Sequence, residues 1–404
     1  MVCGENMIEI GVKFIDNLEQ AYAEMQRVGA DPGGIARMAP KAVFKVLKLS
    51  GLTPTQANII KQEMLARGGD AAVARGVINH SVATTDLLLL GTLKQYRGFI
   101  KKLKMQPFGL AKLAERIEAA LANLAGWPSR RINCRGLTLE LGERTLVMGI
   151  LNATPDSFSD GGRYLDPAAA LEHALQMVED GADIIDLGGI STRPGHSEIS
   201  EAEEQRRILP VLDKLVQEVK VPISIDTWRA AVAREALARG AHMINDQWAL
   251  RGDPELAQVV AEYQAPIMLM HNGHSTEYRD IMLELTAFLR QSIDMAQQTG
   301  ISRGNIIVDP GIGFAKTYEQ NLEVLRRLKE LTVLGCPILL GTSRKSVIAK
   351  TLNLPVDQRV EGTAATVALG IAAGADIVRV HDVKEMVRVA RMTDAILRGP
   401  QHEG

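Results

Sequence analysis

The run VMGILN at residues 147–152 is the first of eight short apolar stretches, each of which stops at a polar or glycine-rich cluster. The others are DIIDLGG at 183–189, PISIDT at 222–227, HMINDQ at 242–247, PIMLMHN at 266–272, IIVDPGIG at 306–313, PILLGTSRKS at 337–346 and DIVRVHD at 376–382. A continuous apolar run is typical of a strand buried on both faces, and a helical pattern follows each run. Eight such units in about 250 residues match the size of a TIM (β/α)8 barrel. The sequence therefore predicts an α/β protein built around such a barrel.

A chain of 404 residues is too long for one barrel of this kind, so a second domain is expected. Residues 1–122 combine helical spacing with short apolar runs and predict a smaller α/β domain in front of the barrel. Within this domain, AAVARGVINH at 71–80 and DLLLLGT at 86–92 are typical of strands. No motif with a known mechanism is found in it.

The segment 123–136 is rich in Pro, Gly and basic residues, which predicts a linker and leaves 137–400 for the barrel. LTLEL and RTLVMGILN come next, separated by Gly142 and Glu143, and predict a hairpin that runs into the first barrel strand. We expect this hairpin to cover the end of the barrel opposite to the polar strand ends.

Composition limits the classes of partner. The formal net charge is −2 with 23% charged residues, so no overall attraction draws the chain to nucleic acid or to an anionic membrane. Cys3, Cys134 and Cys336 are widely spaced without a CxxC motif, as expected in a reducing cytoplasm. The N-terminus lacks the regions of a secretory signal, and no uncharged apolar run approaches the roughly 18–20 residues that span a bilayer. We expect a cytoplasmic protein with no nucleic-acid or membrane partner.

Polar side chains gather where the eight runs end. In a TIM barrel, catalytic residues come from the carboxyl ends of the strands, which share one face. The predicted strand ends carry ten ionisable or amide side chains: Asn152, Asp226, Asn245, Asp246, His271, Asn272, Asp309, Lys345, Arg379 and His381. Their convergence on one rim predicts a binding or catalytic site.

Three of these residues, Asp226, Asn245 and Asp309, end strands that are close to one another around the ring. Two carboxylates and an amide can hold a flat, guanidine-like heterocycle that offers ring N–H donors and a carbonyl acceptor. A divalent metal site is an alternative, since His271 is near in the ring. Each aspartate alone is also compatible with an Asx-turn or a helix N-cap, above all Asp309 before Pro310.

The seventh and eighth strands end in SRKS and RVHD. Loops after these strands of a TIM barrel frequently form a phosphate site. Arg379 and His381 occupy alternate positions and so face the same side, with donors suited to a phosphate or pyrophosphate. Asn152 is a candidate ligand for a Mg²⁺ on the same group. A histidine on a strand is otherwise often a core residue, so the alternation carries this prediction.

With these residues in place, the barrel resembles the dihydropteroate synthase family over about residues 137–400. The motifs that carry the resemblance follow in the order of the family: LNATPDSFSDGG at 151–162, GISTRPG at 189–195, SIDT at 224–227, DPGIGFAK at 309–316, SRKS at 343–346 and RVHD at 379–382. The resemblance implies a transferase that joins 6-hydroxymethyl-7,8-dihydropterin pyrophosphate to p-aminobenzoate, giving 7,8-dihydropteroate and pyrophosphate. It also implies small-molecule substrates, Mg²⁺ and a homodimer.

The resemblance implies roles for individual residues. The pterin would be held by Asp226, Asn245, Met270, Asp309, Phe314 and Lys345. The pyrophosphate would be held by Asn152, Thr192, Arg379 and His381, with Mg²⁺ on Asn152. The p-aminobenzoate would be held by Phe158, Thr192, Arg193, Pro194, Lys345 and Ser346. The catalytic residues would be Asp226, Lys345, Arg379 and His381.

The chain departs from the family pattern at three positions. Ile190 stands where the family usually has Glu, Ala315 where it has Gly, and Gln247 where it has an aliphatic residue. The domain before the barrel is also not part of the common enzyme. Two other functions share parts of the pattern: a pterin-binding methyltransferase that acts on methyltetrahydrofolate and a corrinoid protein, and a non-catalytic folate-sensing protein. Neither explains the complete pyrophosphate pattern.

Overall fold

The computed structural model describes residues 9–124, 129–153, 166–189 and 199–399. The chain divides into two compact units, Met1–Gly126 and Trp127–Gly404, which we call the N-terminal unit and the barrel unit. In the described part of the chain, no helix is long and apolar enough to cross a membrane.

The N-terminal unit combines five described helices with a three-stranded sheet. Its elements are α1(Leu18–Arg27), α2(Pro32–Ala42), β1(Phe44–Leu52), α3(Pro54–Leu65), β2(Asp70–Val73), β3(Thr85–Thr92), α4(Leu93–Leu103) and α5(Leu110–Asn123). The strands are antiparallel in the order β1-β3-β2. Thr53 and Thr92 begin α3 and α4 with capping boxes, in which each threonine and a glutamine three residues later satisfy free backbone amides.

Of the two strands predicted in this unit, one is shorter than expected. In AAVARGVINH only the first part belongs to β2, and residues 75–77 form a turn of 3-10 helix. Strand β1 and helix α2 were not predicted. Each face of β1 mixes apolar and polar side chains, and α2 contains Pro40, so neither gives a clear periodic signal.

The barrel unit contains eight parallel strands. They are β6(Leu146–Asn152), β7(Ile184–Gly188), β8(Ile223–Asp226), β9(Met243–Asp246), β10(Ile267–Met270), β11(Ile306–Asp309), β12(Leu339–Leu340) and β13(Ile377–Val380). Their order is β11-β10-β9-β8-β7-β6-β13-β12, and a parallel bridge between Val308 and Ile338 closes the ring. The predicted TIM barrel is confirmed, and all eight apolar runs form its strands.

Helices cover the outside of the barrel. They are α6(Pro167–Glu179), α7(Glu201–Glu218), α8(Ala230–Ala238), α9(Leu256–Glu262), α10(Ile281–Gln298), α11(Tyr318–Arg326), α12(Ser346–Leu352), α13(Val360–Ala372) and α14(Val383–Arg398). The largest apolar cluster joins their inner faces to the outward side chains of the strands. The strands therefore lie between two apolar layers, which is why their sequences are continuously apolar.

A hairpin covers the amino-terminal end of the barrel, as expected, but its strands are not the predicted ones. β4(Arg130–Cys134) pairs with β5(Leu137–Leu141) through a turn at Arg135 and Gly136, both with positive φ, of 53° and 108°. This geometry is typical of a two-residue hairpin turn. The inward side chains of the hairpin pack on the lower barrel side chains, such as Met148 and Met243. Residues 130–134, predicted as linker, are therefore part of the barrel unit.

Candidate active site

The register of the barrel strands brings polar side chains to one level. Asn152 at the end of β6 lies opposite Gly188 of β7, Gly188 opposite Asp226 of β8, and Asp226 opposite Asn245 of β9. Parallel strands end on the same face, so these side chains share the carboxyl-terminal mouth of the barrel. Gly188 lacks a side chain, and a Cβ there would lie 3.4 Å from the Asp226 Cβ.

Arg379, on β13, lies between two carboxylates inside this mouth. Its Nε donates to Asp186 Oδ2 at 2.6 Å and its Nη2 donates to Asp226 Oδ2 at 2.9 Å. Asn245 Nδ2 donates to the same Asp186 oxygen at 3.0 Å. Burial by itself lowers the pKa of Arg379, but Asp186 and Asp226 outweigh burial and raise that pKa. The guanidinium is therefore a permanent cation that neutralises a buried acidic pair.

The Asp226 carboxyl has a strongly altered acidity. Burial raises its pKa from 3.8 to about 7; the nearby Asp186 carboxylate adds to this, while Arg379 opposes it. Gln247 Nε2 donates to Asp226 Oδ1 at 2.7 Å. The amide at this unusual position therefore contacts the acid predicted to hold the heterocycle, and that acid changes protonation state near neutral pH.

Lys345 and Asp309 approach Arg379 around Gly341, just after β12. A Cβ built on Gly341 would lie 3.7 Å from Lys345 Nζ, 3.8 Å from Arg379 Cβ and 4.0 Å from Asp309 Oδ2. Glycine thus leaves room for all three side chains. Burial lowers the pKa of Lys345 to about 8, against the attraction of Asp309. Burial also raises the pKa of Asp309.

Two apolar side chains predicted to line the pocket lie next to these charges. The Phe314 ring centre is 4.9 Å from Lys345 Nζ, a cation–π distance. Met270 is buried at the end of β10, opposite Asp309 in the strand register. Phe314 is therefore next to Lys345, and Met270 is next to Asp309.

A second lysine supports the loop that follows β11. Lys316 Nζ lies 2.9 Å from His271 Nδ1 and donates to the carbonyls of Gly311 and Phe314 at 2.9 Å and 3.0 Å. Burial and then the Lys316 charge lower the pKa of His271 to about 3, and burial lowers the pKa of Lys316 to about 7. The neutral imidazole is therefore an acceptor for Lys316. Gly311 has φ +68°, and a Cβ there would lie 1.9 Å from the His271 carbonyl oxygen, so only glycine fits.

The loops after β12 and β13 are connected side by side. The backbone N–H of His381 donates to Ser343 Oγ at 3.1 Å, and that Oγ lies 3.0 Å from His381 Nδ1. With the hydroxyl donating to Nδ1, the ring proton of His381 is on Nε2. Arg344 Nε donates to Asp382 at 3.0 Å, which joins the same two loops a second time.

The other predicted residues are distributed as follows. Ser346 is exposed and begins α12 directly after Lys345. Asp246 accepts from the backbone amides of Trp248 and Leu250, so its carboxylate serves a turn and not the mouth. Four predicted substrate residues and one of the departures lie outside the described residues: Phe158, Thr192, Arg193, Pro194 and Ile190.

Two residues of the site were not predicted. Asp186 lies inside the apolar run DIIDLGG, two residues before the strand end, and a lone acid in a buried strand was the available signal. Lys316 is the last residue of DPGIGFAK, a motif that was assigned no cation. Ala315, before it, has φ +47°, a conformation that favours the glycine usual in the family.

Comparison with known proteins agrees with this geometry. Residues 148–381 match the family model described as "Pterin binding enzyme". Dihydropteroate synthase of Bacillus subtilis is 52% identical over 274 residues, covering 68% of this chain and 96% of that protein. A crystal structure of dihydropteroate synthase from Clostridium difficile in the presence of pteroic acid is 56% identical, with a TM-score of 0.63, and covers 64% of this chain and 99% of that one.

One relative also extends over the N-terminal unit. A probable bifunctional folylpolyglutamate synthase/dihydropteroate synthase of Halobacterium salinarum is 40% identical over 396 residues, which cover 96% of this chain and 47% of that protein. The N-terminal unit is thus not particular to this chain.

The fold, the strand-end site and the match over more than half of the chain place this protein among the pterin-binding enzymes. The sequence identity of 50–52% with dihydropteroate synthases, over 94–96% of their length, identifies the family more narrowly. The chain belongs to the dihydropteroate synthase family, and its activity is that of a transferase. The predicted function is confirmed, and family membership favours it over the methyltransferase and the folate-sensing protein.

Proposed function

We propose that the strand-end site described above performs the condensation of 6-hydroxymethyl-7,8-dihydropterin pyrophosphate with p-aminobenzoate, with the residue roles that the sequence predicted. The observation that carries this proposal is the arrangement of Asp309, Lys345 and Arg379 around Gly341. The Asp309 carboxylate accepts from ring N–H groups of the pterin, and Lys345 donates to the pterin carbonyl. Asn245 and Asp226 complete the pterin contacts, with Met270 and Phe314 against the ring.

The leaving group is assigned to Arg379 on β13 and to His381 directly after it. Arg379 uses Nε and Nη2 for its two carboxylates, and its Nη1 is not used in these bonds. In the tautomer that accepts from Ser343 at Nδ1, His381 is a second donor through Nε2. Both donors would stabilise the negative charge that develops on the pyrophosphate as the C–O bond breaks. Thr192 and Asn152 are the other two residues assigned to the pyrophosphate.

The residues at the mouth fit a magnesium ion that is held mainly by the substrate. Mg²⁺ usually keeps several waters and binds few protein groups when substrate phosphates are present. Asn152, at the end of β6, offers one amide oxygen at the same level of the barrel mouth as Asp226. No group of three His, Cys, Asp or Glu side chains suited to a metal is found among the described residues, so a site built by the protein alone is not part of the proposal. When bound there, the ion would neutralise pyrophosphate charge.

The bond-forming step needs little from the protein beyond orientation. The amine nitrogen of p-aminobenzoate attacks the methylene carbon of the pterin, the C–O bond breaks, and its electron pair leaves with pyrophosphate. The amine then loses one proton. An aniline nitrogen is a free nucleophile at neutral pH, so no strong base is required. Lys345 and Ser346 are assigned to p-aminobenzoate, together with Phe158, Thr192, Arg193 and Pro194.

We expect His381→Ala to weaken binding of the pterin pyrophosphate by about 1.5–3 kcal/mol, the usual contribution of a hydrogen bond to a charged group. Binding of the pterin alcohol, which lacks the pyrophosphate, should change by less than about 0.5 kcal/mol. Calorimetry with both ligands measures this difference. Equal weakening of the two ligands would remove His381 from the pyrophosphate site.

Asp309→Asn tests the pterin contacts. The variant keeps the shape of the side chain but removes the charge next to Lys345, and we expect a loss of about 1.5–3 kcal/mol in pterin binding. Asp357→Asn, at an exposed position of the same unit, is the matched control and should bind as the unchanged protein does. Unchanged affinity in Asp309→Asn would exclude Asp309 from the site.

We further propose that the enzyme is a homodimer. Large apolar side chains are exposed on two neighbouring helices of the barrel unit: Leu369 on α13 is 70% exposed, and Met392 and Ile396 on α14 are 64% and 71% exposed. Met392 and Ile396 are four residues apart and so share one face of α14. Light scattering of the unchanged chain and of Ile396→Glu tests this proposal: the first should be dimeric and the second monomeric.

We also propose a cytoplasmic enzyme. Cys134 and Cys336 are buried free thiols, which suit a reducing compartment. The substrates of the proposed reaction are small molecules, and no contact with nucleic acid or membrane is part of the proposal.

The predicted division at 1–122, 123–136 and 137–400 leads to a test of the N-terminal unit. All the assigned substrate residues lie beyond residue 136, so a fragment beginning at Trp127, which retains the β4–β5 hairpin, is expected to keep most of the activity. Dihydropteroate formation by fragment and full chain is compared at equal concentration. A folded but inactive fragment would show that the N-terminal unit contributes to the reaction.

A further inference from the structure

Gln247 approaches the Asp226 carboxyl from the turn that follows β9. It lies two residues beyond Asn245, the partner of Asp226 in the register of β8 and β9. Gln247 Nε2 donates to Asp226 Oδ1 at 2.7 Å, while Arg379 Nη2 donates to Asp226 Oδ2 at 2.9 Å. Each oxygen of this carboxyl therefore accepts from a different donor, one neutral and one charged.

The turn that carries Gln247 is held by a second acid. Asp246 is fully buried, and its carboxylate accepts from the backbone amides of Trp248 at 2.8 Å and Leu250 at 2.5 Å. Ala249 and Leu250 have φ of 50° and 67°, a left-handed conformation that is uncommon for residues with a side chain. Such a backbone persists only where its surroundings fix it. Asp246 thus fixes the position from which Gln247 reaches the site.

The two donors to Asp226 fix the plane of its carboxyl group. The last torsion of an aspartate has only a broad preference, so hydrogen bonds decide where its oxygens point. A carboxylate has about four acceptor sites, of which Gln247 and Arg379 use two. The Asp226 side chain is 10% exposed, at the mouth of the barrel. Its further acceptor sites can therefore receive a ring N–H of a substrate in the mouth.

The charged groups that face Asp226 oppose one another. They are Asp186 on β7, Glu204 on α7, Lys345 directly before α12 and Arg379 on β13. Burial is the largest influence and raises the pKa of Asp226, and the two acids add to it. Arg379 and the Gln247 amide lower this pKa, which is about 7. Because this value is near neutrality, one hydrogen bond decides how much of the carboxyl is ionised.

We infer that Gln247 is a positioning residue for the pterin. It holds the Asp226 carboxylate in its charged form and in one orientation, so that Asp226 accepts from a ring N–H of the substrate. This inference rests on the proposed assignment of Asp226 to the pterin. A protonated carboxyl lacks the charge that strengthens this hydrogen bond, so loss of the amide should weaken pterin binding most on the acidic side of neutrality.

The test is calorimetry of 6-hydroxymethyl-7,8-dihydropterin binding to the full chain from about pH 6 to about pH 9. This ligand lacks the pyrophosphate, so no phosphate group titrates. Gln247→Met keeps the length of the side chain but removes the donor, and the pH at which affinity is half lost should rise by about one pH unit. The variant should then bind about tenfold more weakly than the unchanged chain at pH 6, and less than about twofold more weakly at pH 9. Gln247→Asn, whose amide is one methylene shorter, should show the same pattern even if Gln247→Met does not fold.

Two further variants separate the possible outcomes. Gln258→Met replaces an exposed glutamine of α9 and should leave the pH profile unchanged. Asp226→Asn cannot ionise, so adding Gln247→Met to it should change the affinity less than about twofold at every pH. If Asp226→Asn binds weakly but Gln247→Met has no effect, or the same effect at every pH, the inference alone is overturned. If Asp226→Asn binds at pH 9 as the unchanged chain does, the assignment of Asp226 to the pterin is itself overturned.

Discussion

Replacing Arg379 by methionine is expected to lower the free energy of unfolding of the barrel unit by about 3–5 kcal/mol. This is the loss typical of removing one partner of a buried ion pair. The variant leaves the buried carboxylates of Asp186 and Asp226 without their cation. Asp186 is affected most, because its Oδ1 already has no hydrogen-bond partner among the described residues. Dihydropteroate formation should be lost as well, because Arg379 is assigned to the leaving group.

Urea denaturation at pH 8, above the Asp226 pKa of about 7, followed by tryptophan fluorescence measures this loss. All three tryptophans, Trp127, Trp228 and Trp248, belong to the barrel unit, so their signal reports that unit and not the N-terminal one. Arg234→Met breaks an exposed ion pair with Glu262 and is the matched control, with an expected loss of about 0–1 kcal/mol. A loss below about 1 kcal/mol in Arg379→Met would mean that the two acids are neutral or solvated in the folded protein.

The barrel was predictable because its strands carry a strong local signal. Each of the eight runs is mainly apolar on both faces of its strand. Even β12, which is only two residues long, lies in the longer apolar run PILL. The strand ends were predictable for a related reason. A polar residue that ends a buried strand is placed at the carboxyl-terminal face of the barrel. Asp226 and Asp309 face the mouth there, whereas the Asp246 carboxylate accepts from the backbone of a turn.

The hairpin was predicted in the right place with the wrong partner strands. Basic composition around Arg130 and Arg131 indicated a linker, but Ile132 and Cys134 alternate with the polar residues and point into the barrel. Composition averages over a segment, whereas a strand with one buried face is defined by alternation. The turn at Arg135 was missed because an arginine with positive φ is uncommon.

The hydrogen-bond partners of the site residues could not be predicted from the sequence. Asp186 and Arg379 are 193 residues apart, and only the closed ring of strands brings them within hydrogen-bond distance. The contact of Gln247 with Asp226 likewise depends on the register of β8 and β9. Residue types at strand ends therefore predicted which groups form the site, but not which groups neutralise one another.

The pairing of charges in the site leads to a prediction about pH. The folded-state pKa of Asp226 is about 7, above its ordinary value of 3.8, because of burial and the neighbouring Asp186. Folding therefore favours the protonated form, and the stability contributed by this group is fully present below about pH 4 and lost as the pH rises through about 7. Each tenfold difference in acidity between the folded and unfolded states corresponds to about 1.36 kcal/mol.

Asp226→Asn isolates this effect, because the amide cannot ionise. The free energies of unfolding of the unchanged chain and of the variant are measured from pH 4 to pH 8, and their difference should move in favour of the variant by up to about 1.4 kcal/mol for each pH unit between about 4 and 7. The pKa values of Lys345 and Lys316 are lowered to about 8 and about 7, so these lysines have the opposite effect. Between these values and pH 10.5, their contribution to the free energy of unfolding increases as the pH rises. Both lysines are present in both proteins, so their contributions largely cancel in the difference. A difference that stays constant from pH 4 to pH 8 would show that Asp226 remains ionised throughout, held by Arg379 against the effect of burial.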